Sequence, residues 1–327
     1  KLVQDGRGVE VYLRAGIPPT VRVDDGLVRM EAQALTAVDV RRVVDLVRSG
    51  LQAPEPATGA VEVGFDLGVV GRCRARIFHE SRGLVVVIRP LGLQPPRLRD
   101  VADEESLEPL TRLRSGLVLI SGPPVSGRSW TAHALIDAIN AERAVHVATV
   151  EAPVEHLHTP RSGLVTQLGV PADASTFAEG FRLALGNDAR VIYVSELADA
   201  DTAMLALEAA ASSTLVIATL RALGAVPAIK QVLDLVGPAR RDRALALLST
   251  GLRASLSQVL LPHVTGKGTV VAREILLGVP NVLHPLAQGR FHEIEKLLGE
   301  TPPEGLRSFG QALRALVARG LISQTTA

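Results

Sequence analysis

The 327-residue sequence has a single cysteine, Cys73, so no internal disulfide can staple it. No run approaches the ~18 consecutive apolar residues that a membrane-spanning helix needs, and no charged-then-apolar signal segment opens the chain. Excess charge of one sign is absent too. The 35 basic and 34 acidic residues leave a formal net charge of +1, spread along the whole length. No polybasic tail or acidic block therefore advertises nucleic acid or a membrane surface, and direct nucleic-acid binding is not expected. These absences fit a cytoplasmic protein. The first residue is Lys1 rather than Met, which suggests a chain that starts inside a longer product.

What is present is ordinary globular material, 47% hydrophobic and long enough for two separate cores. Up to residue 92 the sequence reads as a small α+β domain. Val9–Leu13, Thr20–Val23, Val61–Leu67, Cys73–Phe78 and Leu84–Ile88 are β-rich, and Ala37–Leu51 has helical spacing. Residues 93–114 carry Pro95, Pro96 and dense charge, as a linker with a short approach helix would. From residue 115 to 327, strand-like runs at 116–121, 145–150, 190–196 and 214–220 alternate with helical stretches. That alternation predicts a parallel α/β sheet covered on both faces. Beyond Arg240 the chain reads as mostly helical: LALLSTGLRASLSQVLL (245–261) is expected to be helix with wide apolar faces. A strand-like TVVAREILL and a terminal helix SFGQALRALVARG follow.

The strongest local signal is Gly122-Pro-Pro-Val-Ser126-Gly127-Arg128-Ser129, between the run GLVLIS and the helix-like WTAHALIDAIN. Backbone N–H groups in such a turn, together with a helix N-terminus, cradle phosphate oxygens. The loop departs from G-x-x-x-x-G-K-[ST] at Arg128. Arginine keeps the positive charge, but its planar fork is bulkier than an ammonium. By itself a Gly/Pro turn between strand and helix is equally compatible with plain scaffolding.

The neighbouring segments shift that balance. ATVEAPVEHLH (148–158), FAEGFRLALGNDARVIYVSELADADT (177–202) and TLVIATLRA (214–222) resemble, in order and spacing, the acidic box, Walker B strand and histidine box of the PilT-type pilus-retraction and secretion ATPase family. VYLRAGIPPTVRVDDG (11–26) and RCRARIFHESRGLVVVIRP (72–90) look like that family's N-terminal domain. The resemblance implies a PAS-like α+β domain joined to a RecA-like P-loop α/β domain with C-terminal helices. It also implies ATP or ADP with Mg²⁺ as the ligand class, expected to bind weakly or not at all in a chain with an altered site, and a homo- or hetero-hexamer with nucleotide between subunits. The expected partners are an active ATPase homologue and the inner-membrane platform of a pilus or secretion machine, at the membrane's cytoplasmic face.

Carried over residue by residue, the resemblance makes Gly122, Ser126, Gly127, Arg128, Ser129, Trp130, Glu151 and Glu155 candidate nucleotide-site residues. Ser129 is the candidate Mg²⁺ ligand and Glu196 the candidate water-orienting acid. Without the neighbouring boxes, Ser129 reads as a helix cap and Glu196 as a strand-end carboxylate. Arg74, Arg82 and Arg89 fall where the family has nucleotide-facing arginines, though solvated strand charges are the commoner fate of such residues. Besides Arg128, four further positions depart from the family: Ala152 replaces an aspartate of the acidic box, Arg190 the aspartate that opens the Walker B strand, and Thr214 and Arg221 two histidines. Hydrolysis of a phosphoanhydride rests on positioning and charge stabilisation, so efficient turnover is not expected. VPNVLHPLAQGRFHEI (279–294) aligns with a retraction-associated helix, which Pro285 is expected to disturb. The histidines His133, His156, His158, His263 and His292 lack the spacing of a metal site. Trp130 and Cys73 read as packing residues.

Overall fold

The computed structural model describes residues 10–23, 26–48, 59–101, 104–266, 268–299 and 303–326. The chain start, Val9 and the last residues of the helix expected at 37–51 lie outside them. The chain divides into two compact units. One comprises the described residues up to Pro95 with Ala152–His158 and Gly169–Asp173; the other comprises the remainder.

The first unit is an antiparallel sheet carrying one helix. Its strands are β1 (Glu10–Arg14), β2 (Thr20–Val23), β3 (Gly26–Arg29), β4 (Ala60–Asp66), β5 (Arg72–Glu80) and β6 (Gly83–Gly92), in the order β3-β2-β1-β6-β5-β4. Helix α1 (Ala37–Arg48) presents Val40, Val44 and Val47 to Val63, Ala75, Ile77 and Val86, which makes the core of this unit. Thr36 and Asp39 cap the helix reciprocally: the Asp39 carboxylate accepts from Thr36 N (2.9 Å), and Thr36 Oγ1 accepts from Asp39 N (3.2 Å). The alternation in Arg-Cys-Arg-Ala-Arg-Ile (72–77) sends Cys73, Ala75 and Ile77 inward and the three arginines to the opposite face. Cys73 is fully buried, as its reading as a packing residue requires. Burial pushes its thiol pKa up, the charge on Asp66 adds to that, and Arg72 opposes it.

The second unit is a seven-stranded sheet between helical layers. Its elements are α2 (Glu104–Thr111), β7 (Gly116–Ser121), α3 (Arg128–Glu142), β8 (His146–Glu151), β9 (Leu164–Gly169), α4 (Phe177–Gly186), β10 (Val191–Val194), α5 (Ala200–Ala211), β11 (Leu215–Leu220), α6 (Ala225–Val236), α7 (Arg241–Gly251), β12 (Leu252–Pro262), β13 (Thr269–Leu277), α8 (Pro280–Ala287), α9 (Phe291–Gly299) and α10 (Phe309–Ala318). The strand order is β13-β12-β7-β11-β10-β8-β9. β12, β7, β11, β10 and β8 run parallel, and β13 returns antiparallel to β12. The central strands are apolar on both sides because both are covered. Leu117 and Leu119 join one core with α5 and α6, while Val118 and Ile120 join another with α2 and α3.

Two expectations need correction. Residues 252–261, read as helix, form strand β12. The apolar run has a period of two from Leu252 through Ala254 to Leu256, and pairing with β7 and β13 satisfies its backbone. Gly251 ends α7 at the switch, packed against the Ala210 and Ala211 backbone, where a Cβ would come within 3.2 Å. Pro285 lies beyond the first turn of α8, yet the helix persists. It is only eight residues long, starts at Pro280 and ends two residues after Pro285, so little hydrogen-bond ladder is lost. Strands β3 and β9 have no counterpart in the sequence reading.

Candidate nucleotide site

The loop between β7 and α3 is built by its backbone. A Cβ on Gly122 would stand 2.2 Å from the Gln258 carbonyl oxygen and 2.5 Å from Ser126 Oγ, so only glycine fits there. Val125 has φ 63°, a left-handed conformation that costs a β-branched residue on the order of 1–3 kcal/mol. Gly127, with φ 81°, precedes α3, and no side chain caps the helix's first N–H groups. Ser126 is buried, and its Oγ has no hydrogen-bond partner. A buried hydroxyl without a partner is uncommon. Here it lies against the backbone of Gly122, next to an uncapped helix end whose dipole favours an anion. These groups fit a phosphate, and Ser129, the second residue of α3, is half-buried beside them.

Arg128 is engaged by the neighbouring strand. Its guanidinium donates to the carbonyl of Leu220, the last residue of β11. The next residue, Arg221, pairs with Glu196 just beyond β10: Nε lies 3.1 Å from one carboxylate oxygen, and a terminal nitrogen 3.4 Å from the other. The acid that would orient water thus has both oxygens engaged by the residue standing in the histidine box. The pair faces solvent, at 60% and 39% side-chain exposure, so it is worth about 0–1 kcal/mol. Arg190 is exposed just before β10, and Thr214 is buried just before β11.

The other candidates separate. Glu151 ends β8 inside the core, 1% exposed. It accepts from Thr149 Oγ1 at 2.6 Å and Gln167 Nε2 at 3.3 Å, and its other oxygen lies 3.1 Å from His133 Nε2. His133, fully buried on α3, meets Tyr193 edge-on at 5.4 Å. In this structure, therefore, Glu151 is a buried carboxylate held by neighbouring side chains. Trp130, read as packing, is instead 42% exposed. Glu155 belongs to the first unit, where Arg74 donates to it at 2.7 Å and also pairs with Glu62. Burial acts to lower the Arg74 pKa, but the charges of Glu155 and Glu62 outweigh it and raise the value. Arg89 is the cross-strand neighbour of Arg74, and Arg82 is exposed in the turn between β5 and β6.

Sequence reasoning missed Gln258 and Arg273. Gln258 Nε2 donates to Ser126 O at 2.8 Å, and Arg273, fully buried on β13, donates to Gln258 Oε1 at 3.3 Å. The signal was a charged residue in an otherwise apolar period-two run, Val271-Arg273-Ile275.

A mostly parallel sheet with a glycine-shaped phosphate loop at the carboxyl end of a central strand, helices on both faces and an appended antiparallel α+β unit defines a RecA-like P-loop protein with a PAS-like N-terminal domain. Residues 76–288 match the Type II/IV secretion system protein family, and the chain belongs to it. It is 30% identical over 319 residues to the type IV pilus retractation ATPase PilT of Pseudomonas aeruginosa strain PAO1, covering 97% of this chain and 92% of that protein. Among solved structures, the pilus retraction motor PilT with bound ADP superimposes with a TM-score of 0.84 at 28% identity, over 99% of this chain and 93% of that one. The Legionella pneumophila ATPase DotB shares the fold, with a TM-score of 0.81 at 20% identity over 99% and 91%. No described helix is long and apolar enough to cross a membrane.

Proposed function

We propose that this chain is a non-motor member of its family: a PilT-like subunit of a type IV pilus or related secretion machine. It holds nucleotide weakly, turns it over poorly, and acts by assembling with or regulating an active ATPase homologue. The observation that carries this reading is the pair of arginine contacts at the end of β11. Arg128 donates to Leu220 O at the end of that strand, and Arg221 contacts both oxygens of Glu196. A positioned general base contributes about 10²–10⁴ in rate. With Arg221 competing for this carboxylate, and with Ala152, Thr214 and Arg221 itself in place of an acid and two imidazoles, that contribution is reduced. The loop keeps its backbone cradle, so ATP or ADP with Mg²⁺ remains the ligand class. The relative solved with ADP supports that class.

A cytoplasmic hexameric ring, homomeric or mixed with an active homologue, at the platform of the machine completes the proposal. In a mixed ring, a subunit with a partial site adds architecture without adding turnover. The competing reading is a slow retraction motor in which Glu196 leaves Arg221, and the solvent exposure of that pair favours it. Phosphate release from MgATP by the purified protein, with Glu196→Ala as the contamination control, separates the two. We expect no release above that control. Turnover that Glu196→Ala abolishes would establish the motor instead.

A further inference from the structure

Arg273 is a fully buried guanidinium on a strand position whose same-face neighbours, Val271 and Ile275, are apolar and buried. Burying a cation costs several kcal/mol unless its surroundings answer it, so a side chain that only filled space here would be apolar. Its contacts lead to the phosphate loop. Nε and a terminal nitrogen both donate to Gln258 Oε1 at 3.3 Å, and that terminal nitrogen lies 3.4 Å from Thr131 Oγ1, on the first turn of α3. Thr131 Oγ1 donates to the same Gln258 oxygen at 3.1 Å. With Oε1 held from two sides, the amide of Gln258 is fixed so that Nε2 points at Ser126 O, 2.8 Å away. Ser126 is the residue whose buried hydroxyl has no partner.

We infer that Arg273 is the positioning residue and rear charge of the phosphate loop: through Gln258 it sets the loop for the diphosphate end of a nucleotide and supplies positive potential from behind it. The inference rests on the nucleotide-binding reading above and adds a residue to it. Arg273 touches no ligand. It acts through one amide, and a charge at that remove is felt strongly only because protein, not water, lies between. The effect must therefore grow with the number of phosphates, whereas a purely structural role would weaken every ligand alike.

The test is calorimetric titration of the whole protein with pyrophosphate, ADP and AMP, for wild type, Arg273→Gln, Arg273→Lys and Arg128→Met. We expect Arg273→Gln to weaken pyrophosphate and ADP by about tenfold, equivalent to about 1.4 kcal/mol. AMP should weaken less, Arg273→Lys should recover most of the loss, and Arg128→Met should cost less than Arg273→Gln. If Arg273→Gln fails to fold by circular dichroism, Gln258→Met breaks the same connection with the charge left in place, and roughly a fivefold loss of pyrophosphate affinity is expected. Equal losses for all three ligands, or wild-type pyrophosphate affinity in a folded Arg273→Gln or Gln258→Met, would overturn the inference alone. A wild-type protein that binds neither pyrophosphate nor ADP would overturn the nucleotide reading and this inference with it.

Discussion

The carboxyl ends of β7 and of β8, β10 and β11 belong to one sheet, yet they have fared differently. After β7 the elements of a phosphate cradle are in place: Gly122 against the Gln258 carbonyl, an uncapped α3 and the orphan hydroxyl of Ser126. At the ends of the other three strands the chemically useful groups are consumed internally. Glu151 is held by Thr149, Gln167 and His133, Glu196 is held by Arg221, and Leu220 O takes the guanidinium of Arg128. The cradle is made of backbone and shape, which many substitutions leave untouched. The acid end is made of side-chain charge, which one arginine can cancel. On the proposed reading, binding and turnover are separable because they are built from different materials.

Three variants would break or sharpen that contrast. The largest effect is expected for Glu151→Ala. If this carboxylate is core structure, losing it removes the acid beside buried His133 and costs on the order of 3–5 kcal/mol, seen as a fall of roughly 10 °C in Tm. A Tm unchanged within a degree, with altered nucleotide affinity, would return Glu151 to the ligand site. Next, Gly122→Ala forces a methyl onto the Gln258 carbonyl. It should cost about 1–3 kcal/mol in chemical denaturation and abolish detectable ADP binding. ADP affinity equal to wild type would mean that the cradle is not the binding element. The smallest change is a gain. Arg128→Lys combined with Arg221→His frees Leu220 O and Glu196 together, and should raise MgATP hydrolysis at least about tenfold, or about 1.4 kcal/mol in the barrier. No gain in a folded double variant would put the block elsewhere, with Ala152 the next suspect.

The sequence carried the sheet of the second unit well, because four apolar runs at regular intervals separated by helical stretches have few alternative packings. It carried the phosphate loop for the same local reason: glycine spacing is a statement about backbone. It misread β12, since 245–261 changes from period 3.6 to period 2 at Gly251 with no proline to mark the change. The direction of Arg128 was not legible, because a long side chain chooses among acceptors contributed by distant strands. His133 and Glu151, eighteen positions apart, meet only when α3 folds back over β8. Arg273 stood out as a charge in an apolar strand, but what it holds became visible only when β12 was seen to lie beside β7.

That adjacency bears on the order in which the protein is made. The wall behind Gly122 is the Gln258 carbonyl, and Gln258 is fixed in turn by Arg273, about 150 residues further along than the loop itself. While the chain is still leaving the ribosome, β7 and α3 emerge well before the hairpin that gives the loop its shape. The loop is thus among the earliest parts of the second unit to be synthesised and among the last to gain its backing, which waits for the β12–β13 hairpin.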